Sequence, residues 1–364
     1  MKILVIRFRQ MGDAILATPL LSTLRASFPD VEIDFVLNER IAPLFEGHPA
    51  LSRIITFTDE ERHSFLTYVG KVWRTVHQTR YDAIIDMRST TNTMLFALFS
   101  LRSRWRIGIR KPYTWGIFNH RFEGCEDDES MISHNLRLAA PLQGNQRRVV
   151  RNLSLSITEE EKQAFRQYMQ QQGIDFSRPV VLVGVTAKLA SKTWPEDRMV
   201  EVLRRFMAAW PAAQLIFNYA PGQEAVNARR IYQSLATAPA CFINIEAKSM
   251  RQLAAMAANC TFYFGNEGGA RHIVHAMGRP SFVICSPGAS KTTWLPQDTD
   301  IPAEGIAASD LASGASSLTH EQQYALITVD AVWPRLQSFA ESTYLFGDSL
   351  SRHRLCYPSN SSRS

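Results

Sequence analysis

Three short stretches set reactive side chains beside glycines and near the openings of helices. In RQMGDA, Gly12 permits a tight turn after an apolar run, and Asp13 stands at or just before the first helical residue. A carboxylate there caps backbone N–H groups. The same helix end favours its ionised form, which can take a proton from an attacking hydroxyl as a general base. Position alone does not choose between cap and base. In GVTAKLASKTWPEDR, Thr186, Lys188, Ser191, Lys192 and Thr193 precede Trp194 and a helix opening at Pro195. Hydroxyl and ammonium donors beside a helix N-terminus act on the same negative charge, which suits a phosphate. The competing reading is a solvated lysine-rich loop. In FGNEGGARHIVHAMGRP, Gly268 and Gly269 let the backbone approach a ligand, and Glu267 can accept hydrogen bonds from sugar hydroxyls. His272 and His275 lie in the first turns of the next helix, whose amides could hold a pyrophosphate. Against this stands a structural turn with His272 satisfied in the core.

Other chemistries lack sequence support. There is no GxGxxG after the first strand, no GxSxG around a serine, and no His, Cys or carboxylate set at metal-ligand spacing.

The elements that must position these loops alternate in the rhythm of a parallel sheet. KILVIRF, VEIDFVL and YDAIIDMR read as strands in the first half, with AILATPLLSTLRASF as a helix between the first two. After residue 178, RPVVLVGVT, AQLIFNY, CFINI, TFYFGN and PSFVIC read as strands, with PEDRMVEVLRRFMAAW and SMRQLAAMAANC as helices. Two doubly wound halves result. Between them, QRRVVRNLSLS reads as a basic strand-like segment, and Thr158 with Glu161 three residues on forms a capping-box pattern. The expected division is 1–165 and 166–345, with 286–319 a long surface loop, TVDAVWPRLQSFAES a closing helix and 346–364 a disordered tail.

Composition agrees with a folded chain. Of 364 residues, 45% are hydrophobic and 20% charged, enough for two domains and far from the signature of disorder. A net charge of +6 points to an anionic partner without naming it. The cysteines Cys125, Cys241, Cys260, Cys285 and Cys356 are odd in number and scattered, which fits a reducing cytosol. The first apolar run is too short for a signal peptide, and MLFALFSL falls short of a membrane span.

Taken together, MKILVIRFRQMGDAILATPLLSTLRASFPDVEIDFVL, SKTWPEDRMVEVL and GNEGGARHIVHAMGRPSFVI resemble glycosyltransferase family 9, the ADP-heptose:lipopolysaccharide heptosyltransferases. The resemblance implies a GT-B fold: an α/β architecture of two Rossmann-like domains facing across a cleft, acceptor on the first and nucleotide-sugar on the second. It implies inverting, metal-independent transfer of heptose from ADP-L-glycero-D-manno-heptose to the inner core of lipopolysaccharide, with no cofactor besides that donor substrate. The expected place is the cytoplasmic face of the inner membrane, in peripheral contact with its anionic surface and with no nucleic-acid partner. By the same resemblance Asp13 is the base, Lys192 meets the donor phosphates, and Gly269 and His272 belong to the donor block. Thr186 and Trp194 flank that site, and Lys188, Ser191, Glu224, Glu267, Gly268 and Arg271 complete the expected donor set. Gly12 with Arg102, Arg104, Arg106, Arg110 and Lys111, interleaved with Trp105, Tyr113 and Trp115, is the expected acceptor side, against the competing reading of the basic residues as a solvated loop. One departure concerns the donor: the family block reads D-S-G or D-T-G, whereas this chain has Glu267-Gly268-Gly269. Transfer of another nucleotide-activated sugar, and a non-catalytic nucleotide-sugar-binding relative, are the alternatives.

Overall fold

The structure is a computed structural model that describes residues 1–8, 10–126, 128–144, 148–235 and 240–343; the expected tail at 346–364 lies outside the described residues. Among the described residues, twelve strands form two six-stranded parallel sheets. The first contains β1 (Lys2–Ile6), β2 (Glu32–Asn38), β3 (Arg53–Phe57), β4 (Ala83–Asp86), β5 (Trp105–Ile109) and β6 (His120–Phe122), in the order β3-β2-β1-β4-β5-β6. The second contains β7 (Val180–Gly184), β8 (Gln214–Asn218), β9 (Cys241–Phe242), β10 (Phe262–Asn266), β11 (Ser281–Ile284) and β12 (Ala303–Ile306), in the order β12-β11-β10-β7-β8-β9. Counted within its own half, each sheet has the same doubly wound order. The central strands are continuous apolar runs because helices cover both faces: β7 and β10 are buried along their whole length.

This order fixes where ligands can go. In such sheets the crevice opens beyond the carboxyl ends of the strands, where the winding reverses. Those points are β1/β4 in the first half and β7/β10 in the second. RQMGDA follows β1, GVTAKLASKTWP begins in β7, and the GNEGGARH block follows β10, so all three candidate loops stand at switch points. At the second point the backbones come very close. Gly265 has φ +145°, and a Cβ there would collide with the backbone of Gly184.

Several local expectations are corrected. The first helix is two pieces, Met11–Ile15 and Thr18–Ser27. Pro19 has no N–H for the carbonyl of Ile15, and the Thr18 hydroxyl donates to it instead at 2.7 Å. The stretch 148–155 forms no strand; Val150 N and Ser154 N donate to the hydroxyls of Thr23 and Thr18 rather than to a ladder. The segment 286–319 is not a bare loop, for it carries the helix Lys291–Trp294 and edge strand β12. β12 reads AEGI, too short and mixed for an alternation signal, and exists because β11 offers a free edge. The Thr158–Glu161 capping box is present, opening the helix Glu159–Gln171. A division at 165/166 would bisect that helix, which buries Phe165 and Met169 and packs on Met250–Ala258 of the second half.

One apolar cluster runs through both halves, from Ile3 and Leu20 to Met169, Leu182, Tyr263 and Ile273. No helix among the described residues is long and apolar enough to cross a membrane.

Candidate active site

Beyond β1 the helix Met11–Ile15 opens with Gln10 in the N-cap position, so Asp13 is its third residue and not its cap. The carboxylate is buried. Arg7 Nη2 donates to Asp13 Oδ1 at 3.0 Å, and Arg7 Nη1 donates to the Met87 carbonyl at 3.0 Å. The guanidinium therefore ties the aspartate to the end of β4 and fixes its orientation.

The second wall is the helix Gly269–Ala276, opened by Gly268. It packs directly on Met11–Ile15. The approach depends on two missing side chains: a Cβ on Gly12 would lie 2.8 Å from His272 Cδ2, and one on Gly269 would collide with Met11 Cε. Asp13 is thus one residue from a contact with the donor block. His272 is buried, and burial, reinforced by Arg271, drives it well below the ordinary histidine value. It stands there as a neutral ring.

Arg271 is only 1% exposed. One terminal nitrogen donates to the Trp294 carbonyl at 2.8 Å and lies 3.0 Å from His272 Nε2, while Nε and Nη1 have no hydrogen-bond partner among the described residues. Burial lowers its pKa, with Glu267 partly opposing that shift. An arginine nonetheless stays protonated. Two unsatisfied donors on a buried cation suit a nearby anion. Glu267 itself is engaged, its Oε2 accepting from Ser286 Oγ at 2.8 Å and from Ser286 N at 3.2 Å.

The β7 loop divides into supporting and exposed parts. Thr186 donates to Glu224 Oε2 at 3.0 Å, bringing together two expected donor residues. Glu224 lies in the first turn of Gln223–Ser234, entered through Gly222 at φ +87°. Lys188, Ser191 and Lys192 are exposed on the turn. Trp194 is fully buried in the second-half core, its indole N–H donating to the Ile327 carbonyl at 2.8 Å, so it anchors the loop rather than lining a site. The sequence reading missed Asn266. Its Oδ1 accepts from Trp194 N at 2.8 Å and its Nδ2 donates to the Gly184 carbonyl at 3.0 Å, joining the β7 and β10 loops. An amide directly before Glu267 was the available signal.

The expected acceptor residues are not one patch. Arg102 and Arg104 are exposed, whereas Arg106 donates to the carbonyls of Leu101, Ser103 and Ile117. Arg110 pairs with Glu123 at 2.9 Å, and Lys111 donates to the Arg88 carbonyl at 3.0 Å. A cavity of about 250 Å³ lies instead at the first switch point, with Phe8, Arg62, Tyr68, Arg88 and Asn92 in its wall. At the end of β4, Asp86 Oδ1 accepts from the amides of Arg88 and Ser89 at 3.0 and 2.8 Å, and Ser89 takes φ +49°. Burial raises the Asp86 pKa. Elsewhere, Cys125, Glu129 and His134 bring possible ligand atoms within 4.8 Å of one another, but Arg137 Nη2 already lies 2.8 Å from Glu129 and 2.9 Å from His134.

Two Rossmann-ordered sheets whose switch points meet through Gly12 and His272 define the GT-B class of fold. Residues 69–297 match glycosyltransferase family 9 (heptosyltransferase), and the chain belongs to that family. It is 18% identical over 293 residues to lipopolysaccharide heptosyltransferase 1 of Campylobacter coli, covering 78% of this chain and 83% of that one. Lipopolysaccharide heptosyltransferase 1 of Escherichia coli K12 is 20% identical over 79% of this chain and 88% of its own. Among solved structures, a family 9 glycosyltransferase from Veillonella parvula superposes with a TM-score of 0.77 at 16% identity, over 94% of this chain and 96% of that one. The E. coli ADP-heptose lps heptosyltransferase II superposes at 0.72 and 20% identity, over 94% and 99%.

Proposed function

We propose that the protein transfers heptose from ADP-L-glycero-D-manno-heptose to the inner core of lipopolysaccharide, with inversion and without a metal ion, at the cytoplasmic face of an anionic membrane. The observation that carries this reading is the Gly12–His272 contact, which sets a buried, oriented carboxylate beside the donor block. The acceptor hydroxyl passes its proton to Asp13 as its oxygen forms the new bond to the anomeric carbon. The bond from that carbon to the diphosphate breaks on the opposite face, and ADP leaves. Lys192, the Arg271 guanidinium and the amides opening Gly269–Ala276 take up the charge gathering on the diphosphate. Their charge supplies what a metal ion would otherwise contribute. The cavity bearing Arg62 and Arg88 suits an acceptor rich in carboxylates and phosphates. A solved E. coli relative was crystallised with ADP-2-deoxy-2-fluoro heptose, which supports this donor class.

One observation favours a different sugar on the same diphosphate. Glu267 is held by Ser286, so its carboxylate is less free to read sugar hydroxyls than a shorter acid beside a hydroxyl residue. Incubation with ADP-heptose and a truncated, water-soluble core acceptor, followed by ADP release and product mass, tests both. Asp13→Asn should lower kcat by roughly 10² to 10⁴. Lys192→Ala should lower it by on the order of 10² to 10³. Wild-type rates in both variants would refute the assignment, and turnover with other ADP-sugars alone would establish the second reading.

A further inference from the structure

The helix Phe65–Gln78 presents two very different faces. Tyr68, Val72 and Val76, spaced by four, are buried against the first sheet. On a flank about 120° round from them, at 100° per residue, Leu66, Trp73 and His77 fall within about 40° of one another. Leu66 is 82% exposed, Trp73 50%, and Phe65 in the first turn 68%. Trp73 stacks on His77 with centroids 3.7 Å apart and meets Phe99 edge-on at 5.3 Å. That contact joins the helix to the turn where Leu101 is also exposed. Six of the ten large apolar side chains exposed among the described residues fall between 65 and 115.

The charge around them has one sign. Residues 62–81 and 87–122 contain no Asp or Glu, and carry four and seven Lys or Arg respectively. Nearby acids are already engaged: Asp59 pairs with Arg40 and Glu61 with Lys71. Arg74, Arg102 and Arg104 make no ion pair among the described residues. A soluble polyanion would need the cations alone, and a second copy of so basic a face would repel the first. Only a surface with phosphates above and hydrocarbon below takes both the guanidinium heads and the rings.

We propose that this face, Leu66, Trp73 and Leu101 with Arg74, Arg102 and Arg104, docks on an anionic phospholipid bilayer by shallow insertion. It gives a location and a mode to the membrane contact of the proposed function and rests on that reading. The same helix also contributes Tyr68, on its buried side, to the wall of the cavity that bears Arg62.

The test is flotation of the full chain with phosphatidylcholine vesicles, with and without phosphatidylglycerol, at low and high salt. The wild type should float only with phosphatidylglycerol, and added salt should weaken but not abolish binding. Leu66→Ser with Trp73→Ser should lower the partition coefficient by on the order of tenfold or more and remove the salt-resistant part. Arg102→Gln and Arg104→Gln should each cost about fivefold at low salt and little at high salt. Both serine changes are at exposed positions, so transfer to a soluble acceptor should keep its wild-type rate. Wild-type flotation of the double serine variant, no flotation of the wild type, or a dimer in sedimentation that the double variant dissociates would each overturn the proposal. Vesicle binding without transfer would sink the transferase reading alone, and transfer without vesicle binding would sink only this one.

Discussion

Arg271 concentrates the residue-scale question, since a buried cation with two unsatisfied donors costs stability unless something else needs it. Its bond to the Trp294 carbonyl accounts for one nitrogen only. If these donors await a diphosphate, Arg271→Met, of similar length and apolar, should fold at least as stably in the absence of ligand. The same change should weaken ADP binding by roughly 10- to 100-fold, the worth of a charged hydrogen bond. Thermal melting and calorimetric titration with ADP separate these effects. Lost stability with unchanged ADP affinity would make Arg271 a strut to Trp294. The cation itself was visible in the sequence. Its burial was not, because the groups that enclose it come from Tyr263, Cys285 and Trp294 on three different elements.

At the scale of elements, the strands flanking the site were readable because parallel strands covered on both faces are continuous apolar runs, as in VVLVG and FYFGN. The edge strands β3, β6 and β12 were not, since a partly exposed edge tolerates RIITF, HRF and AEGI. Likewise GNEGGARH could be seen as a loop entering a helix, but not that this helix would lie on Met11–Ile15. That contact is a property of the glycines, and it can be broken at one atom. Gly12→Ala adds a methyl 2.8 Å from His272 Cδ2, against a buried ring that Arg271 also contacts. Overpacking should cost about 1 to 3 kcal/mol, read as a lower melting temperature. Displacing the helices should also lower kcat/KM by on the order of 10². Gly70→Ala is the matched control: it lies in Phe65–Gln78 with nothing within 4 Å of the new methyl. It should stabilise by roughly 0.5 to 1 kcal/mol without touching kcat. Equal behaviour of the two variants would mean that the helix contact does not matter to the reaction.

For the whole molecule, the two halves are joined by more than the shared apolar cluster. Arg251, on the helix Met250–Ala258, donates to Glu161 Oε1 at 2.6 Å and to the carbonyls of Pro43 and Glu46 at 3.0 and 3.1 Å. One guanidinium therefore ties the second half both to the connecting helix Glu159–Gln171 and to the first half. Its hydrogen bond pulls Glu161 from 4.5 to about 2. A carboxylate depressed in the folded state contributes stability that is fully present above its unfolded value and lost as pH falls through its folded one. The contribution should therefore fade between about pH 4.5 and 2. His48, held near 4 by burial, also destabilises on acidification, but that effect is common to wild type and variant. Urea unfolding of the wild type and Glu161→Gln should show the variant weaker at about pH 6, with the gap closing as the acid limb is descended. The absence of any gap at about pH 6 would mean that Arg251 holds the halves together through Pro43 and Glu46 alone.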